Sequence, residues 1–281
     1  MLREATPDDA QRIDAFLARY ADSSMYLRGN LAAHGVGFGE NDHSTQFFLW
    51  GDEAVEGVFG ITKSGYVMAQ MPGMPVAAAQ AFAAAIRGRD TLGMTGAADQ
   101  VPVVLHALGI AGSDYQLQHE EPLYRLDLSD LPEALVSTRP MAAADLERLE
   151  GWYASYLQDT GQADAAVAAK LAPGRARSDL KTGRVKLLEQ DGAPVAMAAL
   201  NAVVGTHVQV GGVFVPQDLR GRGFAQRITV GLLQAARRDG AETAVLFANN
   251  PVAARTYDAI GFQQVGWYGI ALLAQPEKVL P

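Results

Sequence analysis

The run from Val208 to Ala225 most narrows what this chain can fold into. A β-branched, apolar segment (Val208 to Val215) meets Pro216, which forbids further ladder pairing. A short turn follows, and a glycine-rich stretch then opens a helix. The spacing predicts that helix over about Arg222 to Arg238, with Phe224, Ala225, Ile228, Leu232 and Ala236 recurring at intervals of three and four. Arg237 and Arg238 fall in its last turn, and Gly240 stands just past it as a C′ residue. Strand, glycine turn and helix N-terminus together form an anion cradle. The first N–H groups of a helix have no intrahelical partner, and the helix dipole favours negative charge there.

The spacing narrows the anion. A dinucleotide loop reads G-x-G-x-x-G and a mononucleotide P-loop G-x-x-x-x-G-K-[ST]; neither is present. The chain instead reads R-x-x-G-x-A, as Arg220, Gly223 and Ala225, just after Val215-Pro216. Downstream, Asn250 to Phe262 reads N-x-x-A-x-x-x-Y-x-x-x-G-F. On its own terms this is a capped helix, with Asn250 as N-cap, Pro251 at N1 and Gly261 as C′.

The two motifs, in this order and on these elements, resemble the acyl-CoA signature of the GNAT acetyltransferase superfamily over residues 139–275. The run Val210 to Ala225 together with Asn250 to Phe262 is most similar to predicted bacterial acetyltransferases akin to glycine N-acyltransferases. That resemblance implies an acyl donor, acetyl-CoA as co-substrate, and no metal. It implies that Val213, Phe214 and Val215 offer backbone groups to the pantetheine arm. Arg220, Gly221, Arg222, Gly223, Phe224 and Ala225 would surround the pyrophosphate, and Asn250 would contact CoA. Tyr257 is implied as general acid, protonating the departing thiolate; a tyrosine with a pKa of about 10 carries the proton needed. Each residue has a plainer reading: solvated arginines, a kink at Gly211-Gly212, a Tyr257 ring packed in the core. The strand before the loop carries no carboxylate, so the general base is either His207 or solvent. Trp152, Tyr153 and Tyr156 either line an acceptor pocket or pack as core.

Length and charge bound the rest. The 281 residues suggest two domains. Setting Arg3 against Arg139, an offset of 136, aligns Asp9 with Asp145, Arg12 with Arg148 and Tyr20 with Tyr156. Each copy reads as a short strand, a capped helix and a later hairpin, the second turning at Asp191-Gly192. The expectation is an α/β fold of two tandem GNAT-like domains, each a mixed splayed β-sheet flanked by helices. Residues 1–130 would be degenerate, because no second R-x-x-G-x-A follows a strand there, and residues 131–281 catalytic. Ser129 to Thr138 reads as connector, Asp159 to Gly183 as a second helix plus a loop, and Gln275 to Pro281 as a frayed tail.

The net charge of −8 argues against non-specific nucleic-acid binding. The absence of cysteine removes disulfides and thiolate chemistry. No long apolar run or leader pattern is present, so no membrane association and a cytoplasmic location are expected. The resulting expectation is acetyl transfer by direct attack of a small-molecule amine or amino-acid-like acceptor, with a homodimer left open. Two alternatives stand beside it: a non-catalytic acyl-CoA-binding module, and a protein-modifying acetyltransferase whose N-terminal half docks its target.

Overall fold

The computed structural model describes residues 1–133 and 135–280. Ala134, in the expected connector, and Pro281, at the end of the tail, lie outside the described residues. The chain divides into two compact units: Met1–Glu121 with Gly266–Pro281, and Pro122–Val265.

The first unit opens with β1 (Leu2–Glu4), α1 (Ala10–Ala18) and α2 (Ala21–His34), then β2 (Thr45–Trp50), β3 (Gly57–Thr62) and β4 (Tyr66–Gln70). Helix α3 (Val76–Ala85), β5 (Asp90–Ala97) and α4 (Val101–Ala107) follow. Period-two alternation sorts the strand side chains between two cores. Phe47 joins Ile13, Leu17 and Leu27 beneath α1 and α2. Its neighbour Phe48 turns to the opposite face, where Phe59 stacks on Phe82 of α3 with ring centroids 4.9 Å apart. Strand β6 (Tyr115–Asp127) carries the chain out of this unit.

The second unit continues with β7 (Arg139–Pro140), α5 (Leu146–Asp159), α6 (Ala165–Thr182), β8 (Val185–Gln190) and β9 (Ala193–Val204). Next come β10 (His207–Phe214), α7 (Phe224–Arg238), β11 (Thr243–Phe247), α8 (Pro251–Ile260) and the start of β12 (Gln263–Lys278). Strands β8 and β9 turn through Asp191 (φ 52°) and Gly192 (φ 76°), the positive-φ pair of a type I′ hairpin. The strand order is β6-β11-β10-β9-β8-β7, with β10 and β11 parallel and the other neighbours antiparallel. Helices α7 and α8 bury Ile228, Leu232, Leu233 and Ile260 against Val208, Val210, Ala244 and Leu246. The other face carries Met197, Ala199 and Phe214 against Leu149 and Tyr153 of α5 and Ala172 and Ala176 of α6.

Three expectations need adjusting. Helix α7 begins at Phe224 because Gly223 takes φ 75°, outside the helical region, and serves as N-cap. Between Asp159 and Gly183 the loop precedes the helix, and α6 runs through Pro173. The tail is held in place through Leu280, whose N–H donates to the Leu108 carbonyl at 3.3 Å. Glu277 and Lys278 pair with Thr91 and Asp90 of β5, and Val279 is buried while exchanging backbone hydrogen bonds with Gly88 and Arg89. Val279 docks into the α3–α4 core, while its apolar neighbour Leu280 is exposed.

The matched helix starts share one local device. Arg3 grips Asp9 with two parallel hydrogen bonds of 2.7 and 2.6 Å, and Arg139 grips Asp145 with two of 2.7 and 2.8 Å. The same carboxylates accept from the backbone N–H of Thr6 and Ala142, at 2.9 and 2.8 Å. Each arginine therefore ties its short strand to the turn that begins the following helix. The guanidinium contact holds both carboxyls below the usual range.

Candidate functional site

Strands β10 and β11 start side by side and then part. Their parallel ladder holds for His207↔Thr243, Val208↔Ala244 and Gln209↔Val245, and ends there. Among the described residues Val210 to Phe214 run on with no partner on the β11 side, so a fork opens whose apex is at Gln209. On the β9 side the register shifts twice, between Gln209 and Val210 and between Gly211 and Phe214. These bulges account for the paired glycines. A Cβ on Gly211 would lie 2.1 Å from the Asn201 amide nitrogen, and Gly212 takes φ 57°. Backbone groups in the fork need partners, and a strand that has left its neighbour can offer them to an extended ligand.

Beyond the fork lies the glycine turn. Gly221 and Gly223 have φ 76° and 75°, and a Cβ on either would meet nothing within 4 Å. Successive N–H groups of a turn that passes twice through the left-handed region can line an anion-binding concavity. Gly223 brings no side chain to cap α7, so the first N–H groups of that helix have no capping side chain. Phe224 is buried under the turn and holds the helix start against the core, with Arg227 lying over its ring. Arg222, exposed, donates to the Asp218 carbonyl at 3.3 Å. Arg220 is more constrained: Nε donates to the Val215 carbonyl at 3.0 Å, Nη2 meets the Asp159 carboxylate, and the guanidinium lies 5.8 Å from the centre of the Phe214 ring. It braces the end of β10 against the last residue of α5.

Helix α8 brings up the second motif. Asn250 accepts from the N–H groups of Val252 and Ala253 at 3.0 and 2.9 Å, and its Nδ2 donates to Asn249. Its oxygen is thus committed to the helix cap. Tyr257 is buried, its ring 6.4 Å from Tyr124 and 5.9 Å from Phe262. The fork, the glycine turn and both motif helices belong to the second unit.

The aromatic residues of α5 separate by depth. Tyr153 is core, and its hydroxyl donates to Asp179 at 2.7 Å, with Arg175 on the same carboxylate at 3.0 Å. Burial, reinforced by that carboxylate, pushes the Tyr153 phenol well above its usual value. Trp152 and Tyr156 are half-buried, and Trp152 packs 5.8 Å from Phe214. His207 lies on the paired stretch of β10, two residues before the apex. Among the described residues no group of three or more carboxylates and histidines is placed to hold a metal ion. No described helix is long and apolar enough to cross a membrane.

Two features escaped sequence reasoning. The Asp159–Arg220 pair links residues far apart in the chain and has no local signature. Gln209 did leave a signal, as a polar residue inside an otherwise apolar run, with 0% exposure.

The first unit holds the same kind of parallel pair without a fork. Strand β4 stays on β5 from Tyr66↔Gly93 to Ala69↔Gly96, one residue short of its end. The next free N–H, that of Met71, is taken by Gln100 Oε1 at 2.8 Å.

Solved structures share this architecture. A GCN5-related N-acetyltransferase from Sphaerobacter thermophilus aligns with TM-score 0.59 and 15% identity, over 100% of this chain and 96% of its own. One from Kribbella flavida aligns with TM-score 0.55 and 20% identity, over 92% and 95%. A Drosophila protein aligns with TM-score 0.64 and 12% identity, over 97% and 98%. At these identities they speak for the fold. Residues 147–262 match the acetyltransferase (GNAT) family model, a segment that makes up most of the second unit. A 57-residue stretch is 37% identical to Acetyltransferase Atu2258 of Agrobacterium fabrum; it covers 20% of this chain and 42% of that protein, less than half the relative's length.

Proposed function

We propose that this protein is an acyl-CoA-dependent N-acyltransferase, moving an acetyl group from acetyl-CoA to a small primary amine. The observation that carries the reading is the fork: a parallel ladder that ends at Gln209↔Val245, beside a helix N-terminus fronted by two left-handed glycines with open space before them. The turn Arg220 to Ala225 takes the pyrophosphate on its N–H groups. The backbone of Val213 to Val215 meets the pantetheine arm, which runs back along β10 toward the apex. Asn250 fixes the start of α8, and α8 brings Tyr257 to the leaving sulfur.

The amine nitrogen bonds to the acyl carbon and the carbon–sulfur bond breaks, its electron pair leaving on sulfur. The amine proton passes to the base, His207 or solvent; Tyr257 delivers a proton to the thiolate and is reprotonated from solvent, so the protein ends each turnover as it began. Direct attack suits a chain without cysteine. On this reading the unit of Met1–Glu121 with Gly266–Pro281 is a GNAT-like domain without a donor site, and the unit Pro122–Val265 holds the chemistry. The matched Arg3–Asp9 and Arg139–Asp145 pairs support that relationship, and the unbroken β4–β5 ladder supports the loss of the first site.

The test is a calorimetric titration with acetyl-CoA of the wild type, Gly223→Glu and Gly223→Asn. Asparagine tolerates a left-handed backbone, whereas glutamate adds strain and a negative charge beside the pyrophosphate. The reading expects saturable binding by the wild type, weakened at most severalfold in Gly223→Asn and lost in Gly223→Glu. A wild type that fails to bind acetyl-CoA overturns it.

A further inference from the structure

We infer that Gln209 recognises the acyl end of the donor, its side-chain amide donating to the thioester oxygen. Three observations converge on this residue. It is the last residue of β10 still paired with β11, so its backbone marks the apex of the fork. Its side chain is 0% exposed. Both ends of its amide, Nε2 and Oε1, have no hydrogen-bond partner among the described residues.

A buried, unpaired amide carries a desolvation penalty that native structures rarely leave without a reason. Here the neighbours offer nothing. Ala202 on β9 and Val245 on β11, the residues in register with Gln209, are both apolar and buried. Leucine or methionine would fill the same space without the penalty. Alternation along β10 turns Val208 and Val210 into the α7–α8 core and leaves Gln209 on the opposite sheet face.

The inference rests on the donor site proposed above. A pantetheine arm entering from the glycine turn runs along Val215 to Val210 and must stop where the ladder closes, which puts the thioester at the apex. Entry there displaces side chains and breaks no ladder bond, because the ladder has already ended. Nε2 then donates to the carbonyl oxygen, and holds it more tightly as negative charge gathers there when the amine attacks. Oε1, the acceptor end of the same amide, takes an N–H of the incoming primary amine. Gln209 neither gains nor loses a proton; bond making and breaking proceed as written for the transfer itself.

The test needs no knowledge of the acceptor, because free CoA has the arm without the carbonyl. The full chain is titrated with acetyl-CoA and with CoA, as wild type, Gln209→Met and Gln209→Glu. The wild type is expected to prefer acetyl-CoA by about fivefold, the ratio one net hydrogen bond confers. Gln209→Met should bind CoA as the wild type does and show no preference, with a melting temperature equal to the wild type's or higher. Gln209→Glu, which puts an acceptor against an acceptor when ionised, should prefer CoA. A wild type that binds both ligands equally, or a Gln209→Met protein that keeps the acetyl preference, overturns the inference and leaves the donor site standing. A wild type that binds neither ligand overturns the donor site, and the inference with it.

Discussion

The ring of Tyr257 is fixed between Tyr124 and Phe262, and its backbone carbonyl accepts from the N–H groups of Gly261 and Phe262, which close the end of α8. Packing and proposed chemistry therefore make separate demands on one side chain, and Tyr257→Phe separates them. The ring contacts survive, so acetyl-CoA affinity should stay within error of the wild type. Thiol release with a primary amine should fall by about 10² to 10⁴ if the hydroxyl delivers the proton. An unchanged rate would assign the residue to packing. Asn250 gives a different result, because its oxygen caps two N–H groups. Asn250→Ala should lower stability by about 1 kcal/mol in urea unfolding. At this scale the sequence was most readable where chemistry is local: the N-cap, the C′ glycine and the left-handed glycines follow from residue type. Gln209 was harder, since what isolates it is the apolar identity of its neighbours across two strands.

Among the elements, the fork depends on where one short strand runs out. Strand β11 has five residues, Thr243–Phe247, and pairs with β10 only through Val245. Nothing in Val208 to Val215 dictates that, so the divergence could be expected from resemblance but not from spacing. In the first unit, Gly93 sits with φ 119° where a Cβ would lie 1.9 Å from the Ala271 carbonyl oxygen, a backbone atom that cannot step aside. Gly93→Ala should therefore destabilise by about 2 kcal/mol or more, read from the urea midpoint.

The two arginine–aspartate clamps give a pH dependence with a definite sign. Both carboxyls lie below their ordinary range in the fold because arginine binds their charged form. The unfolded chain then binds more protons as pH falls through about 4. The clamps' contribution is complete above that value and disappears at lower pH, toward the depressed folded values. Urea midpoints measured from pH 6 to pH 2 should fall more steeply in the wild type than in the Asp9→Asn, Asp145→Asn double variant. Equal slopes would show that the clamps contribute nothing to stability.

For the molecule as a whole, the sequence offset of 136 reappears in space as the same guanidinium–carboxylate geometry at both helix starts. The return of the C-terminal strand was less visible. Strand β12 belongs by its last residues to the unit that begins at Met1, and pairs with β5 from Tyr268 to Lys278. A pairing between segments so far apart in the chain leaves no periodic mark in either, and just past its end Val279 is buried.

The central claim is that one unit, and one place within it, receives the donor. Amide hydrogen exchange of the full chain with and without acetyl-CoA reads that most directly. Protection is expected across Val210 to Ala225, where N–H groups of the fork and the glycine turn gain partners, with Tyr66 to Arg89 unchanged. No new protection in Val210 to Ala225, or protection confined to Tyr66 to Arg89, would contradict the account.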